Sequence, residues 1–391
     1  MANVKDTSLT AYYIGKENTY GVGVAPTRHI KETGATATLN QETVESQSRL
    51  GSRWASGPIR VGEIGNLTMP VEFDADNLQV LLKLLTGNEV VTGSADPWTH
   101  TFTPQNVQTL PSASLTYLLA GYLKRRAVGA VLNTLSFEIA PKSIVTGSAE
   151  LVYKTESDQH LSFAAAAINV STDEITITSH GLANNDKVKI FRDGTATFPG
   201  GLENGKEYYV VNATANTIKL SLTSGGPAID LTGSPSGNFI LVKQETLTPT
   251  DETPFTYSHA SVKFDGVSFG ELRQASLSFS NNLKTDDFRF NLQGQLYAIT
   301  AGKFSATGSL VIVFNEDSRA ELAKIKNQTE TDLEIILDKG LSPNRKLTIS
   351  LPKVRYSSYS WGEGDLLLNV DLVGVTDPPT FTLLNGVSNA F

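Results

Sequence analysis

Residues 66–73 read Asn66-Leu67-Thr68-Met69-Pro70-Val71-Glu72-Phe73, and every second side chain in this stretch is apolar. A period of two predicts a strand with one buried and one wet face, as in an antiparallel sheet. Similar alternation recurs around residues 134–139, 148–153 and 276–280. Because the opposite positions carry mostly Ser, Thr, Asn and Glu, we predict a mainly β protein whose sheets keep one polar face.

Two segments predict short helices, and each lies between two strands. Asp76 is predicted to cap the first helix, which presents a leucine stripe and ends at Gly87, and Asp317 is predicted to cap a weaker second helix. A Gly-x-Leu strand, a Phe-x-x-Asp motif and an apolar helical stripe occur in this order from Gly65 and again from Gly308. Their recurrence predicts an internal duplication, with chance similarity of two β-rich segments as the alternative.

A different unit separates the two copies. Residues 163–243 contain short β segments divided by Gly- and Asn-rich turns, which predicts a small inserted β-sandwich. We therefore predict a first unit over 1–162, an inserted outer domain over 163–243, and a second unit with a C-terminal arm over 244–391. In fold class, each outer unit is expected to be a β-sandwich or barrel with one short helix.

The composition excludes several classes of site. The 391 residues carry a formal charge of -8 and include no cysteine, which rules out disulfides, thiolate metal sites and cysteine nucleophiles. An acidic chain does not suit nucleic-acid binding, which needs clustered Lys and Arg. No apolar run approaches the ~18 residues of a membrane span. We therefore expect no membrane partner.

The motifs that could carry chemistry also have simpler explanations. Gly266-Val267-Ser268-Phe269-Gly270 matches a serine nucleophile pattern, but strands flank it, so a hairpin is favoured. The five histidines are scattered without metal-ligand spacing. Asp74-x-Asp76 resembles the start of a calcium loop, yet its twelfth position is Leu85, and helix capping explains both acids better. We predict no enzyme, no metal and no cofactor.

The order of several motifs resembles the major tail tube proteins of long, non-contractile-tailed bacteriophages. The insert is similar to a small β module of phage structural proteins through His180-Gly181-Leu182, Gly201-Leu202 and Tyr208-Tyr209-Val210. The stretches that carry the main resemblance are 42–49, Gly65-Asn66-Leu67, Leu84-Leu85-Thr86-Gly87, 254–257, 261–266, 275–283, Gly308-Ser309-Leu310 and 347–354.

This resemblance implies a virion protein of the phage tail that is assembled in the host cytoplasm. Its copies form stacked rings, and the duplicated unit favours homotrimeric, pseudo-hexameric rings, with hexamers as the alternative. The implied partners are further copies of the chain, the tape measure, terminator and distal tail proteins, and double-stranded DNA that passes without specific binding. A β-rich surface adhesin or carbohydrate-binding protein is the alternative from another class.

A tube of this kind can be checked for size. If each copy lends four strands, a trimer closes a barrel of about 24 strands, whose bore of roughly 35–40 Å would admit a duplex of about 20 Å. Such a bore should repel DNA through like charge and short hydroxyl side chains. The residues predicted to line it are Glu72, Glu138, Glu150, Thr68, Ser136 and Ser148.

Three segments are predicted to form contacts between subunits or rings. The first is the polar loop over 40–60, with Arg49 and Trp54. The second is the basic run Lys124-Arg125-Arg126, which is expected to clasp carboxylates at an interface. The third is the tail after Asp377, whose Phe381 and Phe391 are expected to insert into pockets of a neighbouring subunit.

Overall fold

Two copies of one strand-helix arrangement share a single apolar core in the computed structural model. The structure describes residues 10–46, 57–290, 294–316, 318–362, 367–374 and 377–391. The predicted mainly β fold class is confirmed. A separate seven-stranded sheet lies between the copies, which is consistent with the predicted inserted domain.

The elements fall into three groups along the chain. The first unit contains β1 (Ala11–Lys16), β2 (Arg28–Ile30), β3 (Thr36–Val44), β4 (Ile59–Glu72), α1 (Ala75–Thr86), β5 (Val90–Thr92), β6 (Trp98–Phe102), β7 (Ala113–Leu119), β8 (Leu123–Ile139), β9 (Thr146–Tyr153) and β10 (Thr155–Asp158). The inserted domain contains β11 (His160–Ala164), β12 (Ile168–Asn169), β13 (Glu174–Thr176), β14 (Lys187–Thr197), β15 (Glu207–Val211), β16 (Thr217–Ser221) and β17 (Ser236–Lys243). The second unit contains β18 (Ala260–Phe264), β19 (Val267–Ser268), β20 (Leu272–Ser280), β21 (Lys284–Phe288), β22 (Leu296–Thr300), β23 (Ser305–Val313), α2 (Arg319–Asn327), β24 (Thr331–Asp338), β25 (Lys346–Trp361), β26 (Leu367–Gly374) and β27 (Thr380–Asn385).

The strand pairings repeat between the two units. In the first unit four strands lie in the order β3-β4-β9-β8, and in the second four lie in the order β20-β23-β26-β25. The amino-terminal half of β8 also pairs with β7 and β10, just as that of β25 pairs with β24 and β27. The two units therefore share one topology, as the predicted duplication requires.

The first helix begins at Ala75, two residues earlier than a cap at Asp76 implies. Asp74 is the N-cap, and its carboxylate accepts hydrogen bonds from the backbone N–H groups of Asp76 at 2.9 Å and Asn77 at 2.8 Å. Asp76 therefore lies inside the first turn, and the sequence-based assignment of the cap was wrong. Gly87 ends the helix in the left-handed conformation, with φ of 76°, as predicted.

A buried carboxylate fixes the connection that follows α1. Glu89 receives a hydrogen bond from Gln79 at 2.8 Å and lies 2.9 Å from His100 Nδ1 and 2.7 Å from Lys83 Nζ. Burial raises the pKa of Glu89, but the hydrogen bonds from His100, Gln79 and Lys83 outweigh it and hold this pKa at about 2. The charged form of Glu89 therefore stabilises the fold.

Aromatic side chains join the two units. Phe137 on β8 stacks on Phe73 at 4.5 Å between ring centroids and meets the edge of Phe279 on β20 at 6.0 Å. Phe279 also packs against Phe381 on β27 at 4.9 Å. The backbone of β9 lies close to β8 and to the Phe73 ring at Gly147, because a Cβ there would lie 1.9 Å from the Ser136 carbonyl oxygen and 2.5 Å from the ring.

The inserted domain has its own seven-stranded sheet and its own core. Its first strand starts at His160, three residues before the predicted boundary of 163, and its last strand ends at Lys243. A second small cluster, formed by Tyr13, Leu118, Phe191 and Val242, packs the domain against β1 and β7. The insert therefore lies against strands outside the four-strand set of the first unit.

Candidate functional site: a polar sheet face and its two edges

The principal candidate surface is one face of an eight-stranded wall. The four-strand sets of the two units join through β8 and β20, which gives the order β3-β4-β9-β8-β20-β23-β26-β25. One face of this wall packs on the core, through residues such as Leu67, Leu135 and Leu277. We call the other side the polar face, after the polar residues that alternate with these core positions; Ile64 and Val152 on the same side belong to a small apolar cluster with Leu296.

The polar face contains all six residues predicted to line a bore. Register places Thr68 beside Glu150, Ser148 beside Ser136, and Glu72 and Glu138 on either side of Thr146. One row crosses seven strands without interruption, and its members are Glu72, Thr146, Glu138, Ser276, Ser309, Asp371 and Ser358. The structure therefore brings the predicted residues together on one surface.

The second unit supplies half of this face, and the sequence-based prediction missed its contribution. Ser276, Ser278 and Ser280 on β20 lie opposite Glu138, Ser136 and Thr134. Ser305, Thr307 and Ser309 extend the rows on β23, and Asp371 extends one on β26. The sequence signal for this contribution was the alternation of residues 276–280 and 305–309, which places a serine or threonine at every second position.

The charge on the polar face is predominantly negative. Its carboxylates include Glu72, Glu138, Glu150 and Asp371, and Arg355 on β25 lies 2.7 Å from Glu330. Glu138 accepts a hydrogen bond of 2.6 Å from Gln274, and Ser136 accepts one of 3.0 Å from the Ser148 amide. Such a surface repels polyanions and offers short side chains for weak contacts.

The wall ends at two strands with open edges. Among the described residues, no strand pairs with β3 on the side away from β4, nor with residues 357–361 of β25 on the side away from β26. Trp361, at the end of β25, is 47% exposed although its ring meets Phe314 edge-on at 5.1 Å. Open edges of this kind favour pairing with another chain.

The predicted basic run makes its contacts with residues of its own chain. Lys124 is buried and forms an ion pair with Glu245, on the segment that returns from the insert, and burial lowers the pKa of Lys124. Arg125 pairs with Glu156 and with Asp158 at 2.9 Å. The prediction expected carboxylates at an interface between subunits, whereas the carboxylates that these residues meet belong to the same chain.

Arg126 and the aromatic residues of the predicted tail also make contacts within the chain. The Arg126 Nε donates to the Thr116 hydroxyl at 3.3 Å. Phe381 is fully buried on β27, between β25 and β6, so the prediction that it inserts into a neighbouring subunit is wrong. Phe391 is half-buried against the core, 5.9 Å from Lys83 Nζ. Arg49 and Trp54 lie outside the described residues.

The structure supports the simpler explanation of the serine motif. Val267–Ser268 forms β19, which pairs with Lys263 and Phe264 of β18, so Gly266 to Gly270 belong to a hairpin. Within the described part of the chain, no group of His, Asp and Glu is arranged to hold a metal ion. In the same residues, no helix combines the length and apolarity required to cross a membrane.

Comparison with known proteins gives one family. A family model described as "Phage tail tube protein" matches the chain twice, over residues 7–190 and 184–361. The two matches cover well over half of the chain and overlap within the inserted domain. The first includes the whole four-strand set of the first unit, and the second includes β20, β23 and β25 but ends before β26. No curated protein gives a match.

Proposed function

The chain belongs to the phage tail tube protein family, and from that premise we propose that three copies close each ring of a long, non-contractile tail tube. Proteins of this family are structural components of the virion tail that self-assemble into the rings of a tube, and they are not enzymes. The observation that carries the proposal is the eight-stranded wall, which has one polar face and an open edge at each end.

Strand number supports a three-membered ring. Three walls of eight strands would close a barrel of about 24 strands, and strands ~4.8 Å apart with a tilt of ~45° give a backbone diameter of about 50 Å. Inward side chains leave a bore of roughly 35–40 Å, which admits a DNA duplex of about 20 Å. A six-membered ring of the same subunit would contain about 48 strands and a bore more than twice as wide.

We assign the polar face to the bore. Glu72, Glu138, Glu150 and Asp371 give it the same sign of charge as DNA, and its serines and threonines present short side chains. DNA passing through would meet repulsion without binding sites. The opposite assignment would place the apolar face of β4, β8 and β20 in the channel, although that face is the core of the subunit.

The insert then lies on the outside of the tube. It packs on β1 and β7 through Tyr13 and Leu118, away from the polar face. We accordingly propose the division into two tube units and one inserted outer domain, with the insert starting at His160 and ending at Lys243. The implied partners remain the neighbouring rings, the tape measure, the terminator and the distal tail proteins.

Electron cryomicroscopy of tubes assembled from the purified chain tests the proposal. We expect hollow filaments with three copies per ring, with Glu138 and Glu150 lining the bore and residues 160–243 outside. A ring of six copies would overturn the proposed symmetry, and a bore lined by the insert would overturn the orientation of the wall.

A further inference from the structure

We propose that each ring closes by one defined strand pairing, in which residues 357–361 of β25 bind β3 of the next copy in the register of the internal β8–β20 pair. This inference rests on the proposed tube function and adds the residues that meet. Its basis is the repeated topology of the two units, in which β25 corresponds to β8 and β3 corresponds to β20. Within one chain, β8 pairs with β20 and joins the first unit to the second. The corresponding strands β25 and β3 are the ones with open edges.

The equivalent residues follow from the ladders that both units contain. In the first unit one row consists of Thr36, Thr68, Glu150 and Thr134, and in the second the matching row consists of Ser276, Ser309, Asp371 and Ser358. The spacing along the chain that relates Thr68 to Ser309 also relates Phe73 to Phe314 and Gly87 to Gln328. Gly87 and Gln328 both follow a helix and have positive φ.

These equivalences transfer the internal register to the open edges. Within the chain, Ser280 lies opposite Thr134 and Ser278 lies opposite Ser136. Their counterparts place Asn40 of the next copy opposite Ser358, and Thr38 of the next copy opposite Ser360. All four side chains are exposed in the isolated subunit, so the pairing can form without disturbing either partner.

The core side of the two junctions gives independent support. Phe137 is 1% exposed because Phe73 covers one side of its ring and Phe279 meets another. Trp361 occupies the position of Phe137 and contacts Phe314, the counterpart of Phe73, but it is 47% exposed. What the subunit lacks is a counterpart of Phe279.

The same register supplies that missing contact. Leu39 is the equivalent of Phe279, because Leu39 pairs with Gly65 as Phe279 pairs with Ala306. Leu39 lies half-buried on the core side of β3, next to the open edge. When β3 of one copy joins β25 of another, Leu39 is placed against Trp361, and the apolar core continues across the ring interface.

A polar contact repeats as well. At the internal junction the Asn281 amide donates to the carbonyl oxygens of Leu85, at the end of α1, and Leu132, at 3.0 and 2.9 Å. The counterpart of Asn281 on β3 is Gln41, which carries the same amide group and is exposed in the subunit. In the ring, Gln41 reaches the last turn of α2 in the neighbouring copy.

Engineered disulfides test this register directly, because the natural chain has no cysteine. Opposite residues in an antiparallel pair have Cα atoms about 4.5–5.5 Å apart, within the range that a disulfide spans. Thr38→Cys with Ser360→Cys should therefore cross-link neighbouring copies under mild oxidation, and Asn40→Cys with Ser358→Cys should do the same. The matched control is Asn40→Cys with Ser360→Cys, whose partners are offset by two residues and should cross-link at least tenfold less.

The products are read by non-reducing denaturing electrophoresis of assembled tubes. Covalent trimers from both matched pairs support the proposal, and a predominant hexamer would support the strand pairing while overturning three-copy rings. Ser136→Cys with Ser278→Cys serves as the positive control, since it should close within one chain at the internal junction. Equal cross-linking of the offset control, or normal tubes without cross-links from either matched pair, would overturn the register and leave the tube function standing.

Discussion

The equivalent aromatic positions Phe137 and Trp361 allow the subunit and the ring to be perturbed separately. Phe137 is 1% exposed within its own chain, whereas Trp361 is 47% exposed and would be covered only by the proposed contact with a neighbouring copy. We expect Phe137→Ala to cost about 3–5 kcal/mol of subunit stability, the range for a fully buried Phe. Trp361→Ala should act mainly on assembly.

The size of the assembly effect follows from the exposed area. A Trp side chain can bury up to about 250 Å², so 47% exposure leaves about 120 Å² for the neighbour to cover. At ~25 cal/mol per Å², this burial stabilises each interface by about 3 kcal/mol, which corresponds to a factor of roughly 150 in the dissociation constant of one interface. The ring contains one such interface per subunit, so its critical concentration should rise steeply.

Tyr122 provides a matched control away from the sheet edges. It is 44% exposed and meets Phe191 edge-on at 4.7 Å, much as Trp361 meets Phe314. Urea unfolding of dissociated subunits should show similar losses, of about 2–3 kcal/mol, for Tyr122→Ala and Trp361→Ala. Sedimentation should show an assembly defect for Trp361→Ala alone, and tubes that form at the wild-type concentration would contradict the reasoning.

Three further predictions address the fold and the bore. Because the pKa of Glu89 is lowered in the folded state, its stabilisation should be complete above pH 4.5 and be lost as the pH falls toward 2, and Glu89→Gln should flatten this loss in urea titrations measured across that range. Gly147→Ala should cost several kcal/mol in thermal unfolding, since its Cβ has no space, whereas Gly266→Ala, where a Cβ meets nothing within 4 Å, should cost only the strain of its positive φ. Glu150→Lys in assembled tubes should increase retention of short DNA duplexes at low salt, with Glu207→Lys on the insert as control; equal retention by both variants would count against the bore assignment.

Local pattern was sufficient wherever one strand or helix decides its own structure. The alternation of residues 66–73 predicts a strand and its buried face correctly, and the leucine stripe before Gly87 predicts α1. The sequence pattern does not predict which residue caps α1. Asp74 and Asp76 are both suitable residues, and only the extended backbone of Asp74, with φ of −110° and ψ of 167°, distinguishes the cap.

Contacts between distant segments explain the errors. The basic run was expected at an interface, but Lys124 pairs with Glu245 of its own chain, which follows the inserted domain. Composition carries no information about a contact between segments so far apart in sequence. Phe381 alternates with Leu383 at a period of two, which is typical of a buried strand, whereas Pro378 and Pro379 directly before it favour an extended arm. The hydroxyl rows of β20 and β23 were visible as patterns, but their position beside β8 depends on strand order.

Duplication changes the energetics of ring closure. The edge strands β8 and β20 of the two units belong to one chain, so they pair at the high effective concentration of two linked segments. In a three-copy ring, every second junction between tube units is therefore already formed when the subunit folds, and only the β25–β3 junctions depend on protein concentration. This division accounts for the difference between Phe137 and Trp361: the internal junction can contribute to the core of a stable subunit, whereas the open junction must stay soluble until assembly. The hydroxyl and amide side chains at 38, 40 and 41 satisfy that second requirement, because they keep the open edge polar on its exposed positions.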